Sequence, residues 1–409
     1  MPDGGVPDAW EKRPTPSGAA GSDDPEHAAG SHRRVPWWVA VLAAVAAAGG
    51  GVGVGSALAH SAPDPARPPA HTLAHSLDPP PAPSYAEGRL VPPYDTPIPD
   101  PAVLVGSTLD YLYTSAAGMT PPNIPVRSFR DVEHLGPELD ALPTLPPWTR
   151  GGTWAPDVRY AEGRYVMWFS APDVHDLLLT GHPAKCLGVA VAGSPLGPFV
   201  PGATPVLCGP AGSIDPRTFV APDGQLWLYW KADTNAAWGQ AQNPDLTGNM
   251  PTTLWAQRLA ADDVTLIGQP QEILMATRPF EHKLIEAPDM VDHDGHYYLF
   301  FSTNPSYQDS DGIAVAFCRG PAGPCQEPYG GPLLGSNTLG LGPGEESLFT
   351  QDGETWVLFS PTGTGFFRQM AVARVAFGPH GPYIAEFAGR VPGLAPVTGP
   401  TRSDVHSPT

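Results

Sequence analysis

The chain is short of positive charge. Its 409 residues carry 22 Lys and Arg against 41 Asp and Glu, a formal charge of −19, so it would repel phosphate backbones and anionic lipid. Nucleic acid is excluded as a partner on that ground. Sequence that favours helix is also scarce: 54 Pro and 46 Gly make up about a quarter of the chain, which excludes a helical bundle. Yet 41% of the residues are hydrophobic and 11 are Trp, ample material for a core, so the chain is not wholly disordered. Only four cysteines occur, Cys186, Cys208, Cys318 and Cys325, and whether they pair depends on the compartment.

One long stretch, residues 35–63, has no Asp, Glu, Lys or Arg, and its middle is nearly all Val, Ala, Leu and Gly. That is long enough to span a bilayer. Arg33 and Arg34 stand just before it and the next basic residue is Arg67, so the first 34 residues are expected to stay cytoplasmic and the rest to be exported. Ala57-Leu58-Ala59 also offers the small-x-small pattern of a cleaved signal. Residues 35–59 are therefore read as a signal-anchor or a signal peptide, with the remainder extracellular on the membrane or secreted. Residues 1–34 are read as a disordered tail, 60–97 as a Pro-rich, semi-rigid spacer, 98–392 as the folded domain and 393–409 as a flexible tail.

Within 98–392 one pattern recurs five times: an acidic or Pro-rich start, a short apolar run, a Gly-bearing turn, then an aromatic strand. The strands include Tyr111-Leu112-Tyr113, Tyr165-Val166-Met167-Trp168-Phe169, Leu226-Trp227-Leu228-Tyr229-Trp230, Tyr297-Tyr298-Leu299-Phe300-Phe301 and Trp356-Val357-Leu358-Phe359. Asp223-Gly224, Asp294-Gly295 and Asp352-Gly353 supply hairpin signals. The turn glycines stand roughly 57 to 71 residues apart, room for one four-stranded sheet and its loops, so the period argues for an all-β, five-bladed propeller rather than an irregular sandwich.

Blades start their innermost strands at the axis, so residues at each start would line a central funnel. Asp100, Asp157, Asp215 and Glu286 all stand at or just before such starts. Converging carboxylates can split their pKa values into an acid and a base, which is what glycoside hydrolysis needs. For Asp157 the competing role is to cap a turn or bind backbone amides at a strand start. Trp154 would either stack on a sugar face or belong to the core.

These motifs resemble the family 43 glycoside hydrolases, five-bladed propellers that remove or cut arabinofuranosyl and xylosyl units. The likeness rests on Pro99-Asp100-Pro101, Gly151-Gly152-Thr153-Trp154-Ala155-Pro156-Asp157-Val158, the Gly188-Val189-Ala190-Val191-Ala192-Gly193 run with Ser194-Pro195-Leu196-Gly197-Pro198-Phe199, Ser213-Ile214-Asp215-Pro216, Glu286-Ala287-Pro288 and Gly342-Pro343-Gly344. The resemblance implies Asp100 as general base, Asp215 as the residue that orients the acid and raises its pKa, and Glu286 as general acid, in an inverting reaction on a polysaccharide or oligosaccharide. It further places Arg368 near the site, where a surface ion pair is the alternative, and implies that no cofactor is required. Many members carry a His after Gly-Pro-Gly that helps hold a calcium ion or its waters, and here that position is Glu345; a structural Ca²⁺ with Glu345 as ligand is the expectation to test.

Export would let the cysteines pair as Cys186–Cys208 and Cys318–Cys325. Zinc is the competing reading, and spacings of about 22 and 7 residues without a flanking His pattern argue against it. The expectation is thus a membrane-tethered or secreted glycosidase, a monomer, acting on furanosyl linkages of α-L-arabinofuranosyl type. Xylosyl or galactofuranosyl linkages are the alternatives, and so is a carbohydrate-binding propeller that has lost turnover.

Overall fold

The computed structural model describes residues 97–387, apart from 117, 131–134, 179–180, 238–249, 307, 337–341, 352 and 362–367. The tail, the uncharged segment 35–59, most of the spacer and residues 388–409 lie outside the described residues. So do Asp352 and most of the Asn- and Gln-rich stretch that follows Asp233. Among the described residues no helix is long and apolar enough to cross a membrane.

Twenty strands form five four-stranded antiparallel sheets, each built from consecutive strands. The first blade comprises β1 (Ala102–Leu104), β2 (Asp110–Tyr113), β3 (Pro125–Phe129) and β4 (Leu139–Asp140). The second comprises β5 (Trp154–Ala161), β6 (Arg164–Leu177), β7 (Pro183–Ala192) and β8 (Val200–Pro201). The third has β9 (Ser213–Val220), β10 (Leu226–Ala232), β11 (Thr253–Leu259) and β12 (Leu266–Met275); the fourth has β13 (Ile285–His293), β14 (His296–Thr303), β15 (Gly312–Cys318) and β16 (Cys325–Gln326). The fifth has β17 (Ser347–Gln351), β18 (Glu354–Phe359), β19 (Ala371–Gly378) and β20 (Gly381–Phe387). Each innermost strand touches the innermost strands of its two neighbours, β1 with β5 and β17 included, so the ring closes. This is the expected five-bladed propeller.

The aromatic strands read as unbroken apolar runs because both of their faces are buried. In β10, Trp227 and Tyr229 face the fourth blade while Leu228 and Trp230 face the second. In β6, Met167 and Phe169 pack on the first blade, and Val166 and Trp168 on the third. Side-chain alternation along a strand thus feeds two different interfaces, and the core is five wedges, one between each pair of adjacent blades, rather than one central mass.

The hairpins at the outer ends of the innermost strands follow the turn chemistry. Glu162-Gly163 and Asp294-Gly295 both take left-handed backbone at the two loop positions, between the paired ends Ala161 and Arg164 and the paired ends His293 and His296, the arrangement that matches strand twist. The last blade is tied to the first by Ile98 N donating to Arg368 O at 3.0 Å and by Ser360 Oγ donating to Ile98 O at 2.7 Å. Both expected disulfides, Cys186–Cys208 and Cys318–Cys325, are formed.

Candidate active site

The five innermost strands begin alike. Asp100, Ala155, Asp215, Ala287 and Glu345 hold equivalent positions and all take left-handed backbone, with φ between 46° and 56°. In the second, third and fourth blades this residue and the following Pro form a bulge. Three residues from Trp154 to Asp157 oppose two intervals from Ser170 to Trp168, and the same shift occurs between Ile214 and Arg217 and between Glu286 and Asp289. Bulges re-aim side chains. The starting residues of all five blades face one small pocket, lined by Asp100, Asp215, Arg217 and Glu345 together with Ala155 and Ala287.

At this level Asp215, Glu286 and Glu345 are buried, and Asp100 is half-buried. Burial raises Asp100, and Glu286 adds to the rise, while Arg368 and a hydrogen bond donated by Ser115 Oγ to Oδ2 pull it down. Asp215 is pushed up to about 7, first by burial and next by Glu286, against the attraction of Lys231. Burial, followed by the charges of Asp100, Glu286 and Asp215, holds Glu345 well above the ordinary Glu range. Glu286 stands one residue before the bulge. Its Oε2 accepts a hydrogen bond from Lys231 Nζ at 2.8 Å, so the repulsion expected from Asp215 is met by a cation in direct contact.

Two residues deeper lies a second ring made of Ala102, Asp157, Arg217, Asp289 and Ser347. Arg217 is its hub: it reaches Asp157 Oδ1 at 3.4 Å, Asp289 Oδ2 at 3.5 Å, Ser347 Oγ at 3.5 Å and the carbonyl of Glu346 at 3.0 Å. Three members of this ring accept a backbone N–H from the next blade: Asp157 from Thr218 at 2.9 Å, Asp289 from Leu348 at 2.8 Å and Ser347 from Val103 at 3.4 Å.

Of the two roles left open for Asp157, that ring favours the binding of backbone amides at a strand start. The second-blade counterpart of Asp100 is Ala155, and Asp157 does not line the pocket. One of its oxygens takes Thr218 N and Oγ1 and the other faces Arg217, so its work is to join blades. Trp154 does not line the pocket either, and Lys185 Nζ sits over its ring at 4.4 Å, occupying one of the faces a sugar would need. The Arg368 guanidinium is buried beside Glu345, Asp311 and Asp100, and it donates to Ser306 O at 2.7 Å and meets Asp311 Oδ2 at 3.3 Å.

Glu345 is the one residue of the pocket expected to hold a cation. Among the described residues the only trio of His, Cys, Asp or Glu ligand atoms close enough to share an ion is Asp173 with Cys186 and Cys208, and those cysteines are bonded to each other. Among the described residues the pocket carboxylates form no such trio.

Sequence reasoning missed Lys231, Arg217, Asp289 and Asp311. The signal for Lys231 was present as a lone charge that continues the Trp227 and Tyr229 face of β10, a face that points at the fourth blade.

A closed five-bladed ring that gathers acidic side chains from three of its blades into one axial pocket is the architecture of a carbohydrate-processing propeller. The chain belongs to the family described as Glycosyl hydrolases family 43, which it matches over residues 92–382, and it is a glycoside hydrolase. Family 43 enzymes act without a cofactor. The chain is 25% identical over 271 residues to xylosidase/arabinosidase 43A of Humicola insolens, covering 59% of this chain and 76% of that one. It is 28% identical over 223 residues to a β-D-galactofuranosidase of Aspergillus niger, covering 52% and 57%. In fold it is similar to a thermostable family-43 glycoside hydrolase, with a TM-score of 0.62 at 23% identity over 76% of this chain and 99% of that one.

Proposed function

We propose that the chain hydrolyses furanosyl linkages, α-L-arabinofuranosyl above all, in an extracellular or cell-envelope polysaccharide, with inversion at the anomeric carbon. The observation that carries this reading is the approach of Asp100, Asp215 and Glu286 from three different blades: Asp100 and Asp215 line the pocket, and Glu286, the residue before its lining residue Ala287, raises both of them by its charge. Asp100 serves as general base. Burial raises its pKa, which makes its carboxylate the stronger proton acceptor. Glu286, across the ring, serves as general acid for the leaving oxygen, and Asp215 orients the fourth blade by accepting Ala287 N at 3.2 Å through Oδ2. In an inverting enzyme the two carboxyl groups leave room for a water between base and sugar, and placement on different blades supplies that separation.

The test is hydrolysis by the purified full chain of a panel of aryl furanosides and pyranosides plus arabinan, beside Glu286→Gln, with the product anomer followed by NMR. Turnover of an α-L-arabinofuranoside that yields the β anomer first and is lost in the variant is expected. Preference for a β-xyloside or a galactofuranoside would replace the sugar, and sugar binding without turnover of any substrate would overturn the enzymatic reading of the site. We also place the catalytic domain outside the cell, tethered by or released from residues 35–59. The uncharged segment and the two disulfides support this, and cleavage of the domain by protease added to intact cells tests the tethered form.

A further inference from the structure

The five-fold repeat has one position where a single blade departs from the rest. Opposite the residue that precedes each left-handed start, the second strand carries Ser115, Ser170, Ser302 and Ser360 in the first, second, fourth and fifth blades. In the third blade that position is Lys231, paired with Ile214. Three of the serines accept the backbone N–H of the next blade's starting residue: Ser115 from Ala155 at 2.7 Å, Ser170 from Asp215 at 3.1 Å and Ser302 from Glu345 at 2.7 Å. In the third blade Asp215 Oδ2 takes over that task for Ala287, which releases Lys231 to reach Glu286. A fully buried ammonium is costly unless paired. This one, 1% exposed, is met by Glu286 Oε2 at 2.8 Å and by Asp233 Oδ1 at 3.3 Å, and Asp233 is in turn held by Lys185 at 3.2 Å.

We propose that Lys231 is a positioning residue for proton delivery by Glu286: its ammonium fixes Oε2 as an acceptor, leaves Oε1 to carry the proton toward the pocket, and remains as counter-ion once that proton has gone. This rests on the reading of Glu286 as general acid. In the step concerned, the Oε1 proton passes to the glycosidic oxygen as its bond to the anomeric carbon breaks. The water oxygen bonds to that carbon and gives a proton to Asp100, which then releases it to solvent; Glu286 is reprotonated from solvent and Lys231 keeps its proton throughout. The charged and titratable groups facing Glu286 are Asp215 from β9, Lys231 from β10, Asp100 ahead of β1, Asp311 ahead of β15, Glu345 ahead of β17 and Arg368 ahead of β19. Lys231 is the cation in hydrogen-bond contact with it.

The experiment measures kcat/KM against pH for the full chain, Lys231→Met, Lys231→Arg, Asp233→Asn and Glu286→Gln. The substrates are an aryl glycoside with a poor leaving group and one with a dinitrophenyl leaving group that needs no acid. Lys231→Met is expected to move the alkaline limb up by about one to three pH units, the effect of removing an opposite charge in contact. It should also lose part of the roughly 10²–10⁴-fold that a placed acid supplies on the poor leaving group, while sparing the dinitrophenyl substrate. Lys231→Arg should restore the limb. Asp233→Asn, which leaves the ammonium and removes the carboxylate competing for it, should move the limb down. An unmoved limb with both substrates slowed alike would reduce Lys231 to a structural residue and overturn the proposal. Should Lys231→Met fail to fold, the sign in Asp233→Asn decides, and no shift or an upward one overturns it. Poor-leaving-group turnover that survives in Glu286→Gln would instead sink the assignment of the acid, a result separate from any of these.

Discussion

Two rings of side chains, two positions apart on the same five strands, do opposite things with the same residue types. The upper ring, Asp100, Asp215 and Glu345 with two alanines, points carboxylates at one another and at a pocket. The lower ring sets Arg217 between Asp157 and Asp289 and spends its remaining acceptors on the backbone of the next blade. The upper ring has few bonds inside itself and raised carboxyls. The lower ring is stitched, and its cation is raised by Asp289 and Asp157 against the cost of burial. A catalytic site needs groups kept from satisfying each other, and the propeller can hold them so because the ring directly beneath is satisfied.

The largest break in that comparison is Asp100→Asn. It should cut turnover by about 10²–10⁴-fold on good and poor leaving groups alike, because a base is needed for both. It should leave thermal stability equal or higher, since a half-buried, repelled carboxyl is removed. A melting temperature that falls with the activity would mean Asp100 belongs to the structural ring. Next comes Arg217→Met, which leaves Asp157 and Asp289 buried without their counter-charge. The expected loss is about 3–5 kcal/mol of stability, read by chemical denaturation, and a loss below 1 kcal/mol would mean the rings do not differ as argued.

The pH dependence of folding sharpens the comparison, because burial reaches into both rings. Asp215 and Asp289 are raised to about 7 and the neighbouring Glu346 to about 8, burial being the first cause in each. A carboxyl that holds its proton more tightly folded than unfolded adds stability that is fully present below its unfolded pKa, near 4, and is lost as pH rises through the folded value. Melting temperature should therefore fall between about pH 4 and pH 8. Glu346→Gln should flatten the upper part of that fall: Ser302 Oγ donates to Glu346 Oε2 at 2.7 Å, which an amide oxygen can accept, while Oε1 has no partner. A curve of unchanged slope would show that Glu346 is already neutral or solvated at high pH.

The fold was legible because its signals are local. Each aromatic strand and its Gly turn lie within one hairpin, and an apolar run buried on both faces stands out in any sequence. The carboxylates at strand starts were legible for the same reason. Depth along the axis was not: Asp157 looks equivalent to Asp100 and Asp215 until the bulge shows that Ala155 holds their place, and a one-residue bulge leaves no mark that a Pro does not also leave for other reasons. Nor was the comparison of Lys231 with Ser115, Ser170, Ser302 and Ser360 available. It depends on which residue of a second strand lies opposite a particular residue of the first, and register is a property of the folded sheet.

The smallest expected effect bears on Asp157, for which the sequence left two roles open. In Asp157→Asn the carboxamide oxygen still accepts from Thr218 N and Oγ1, so those bonds to the third blade survive, while the charge facing Arg217 is lost. The cost should be about 1.5–3 kcal/mol, the range for a hydrogen bond to a charged group, with Asp289 left to hold Arg217. KM for an oligosaccharide should not change, since Asp157 does not line the pocket. A KM several-fold higher with stability intact would return Asp157 to the sugar and mean that the lower ring, too, belongs to the site.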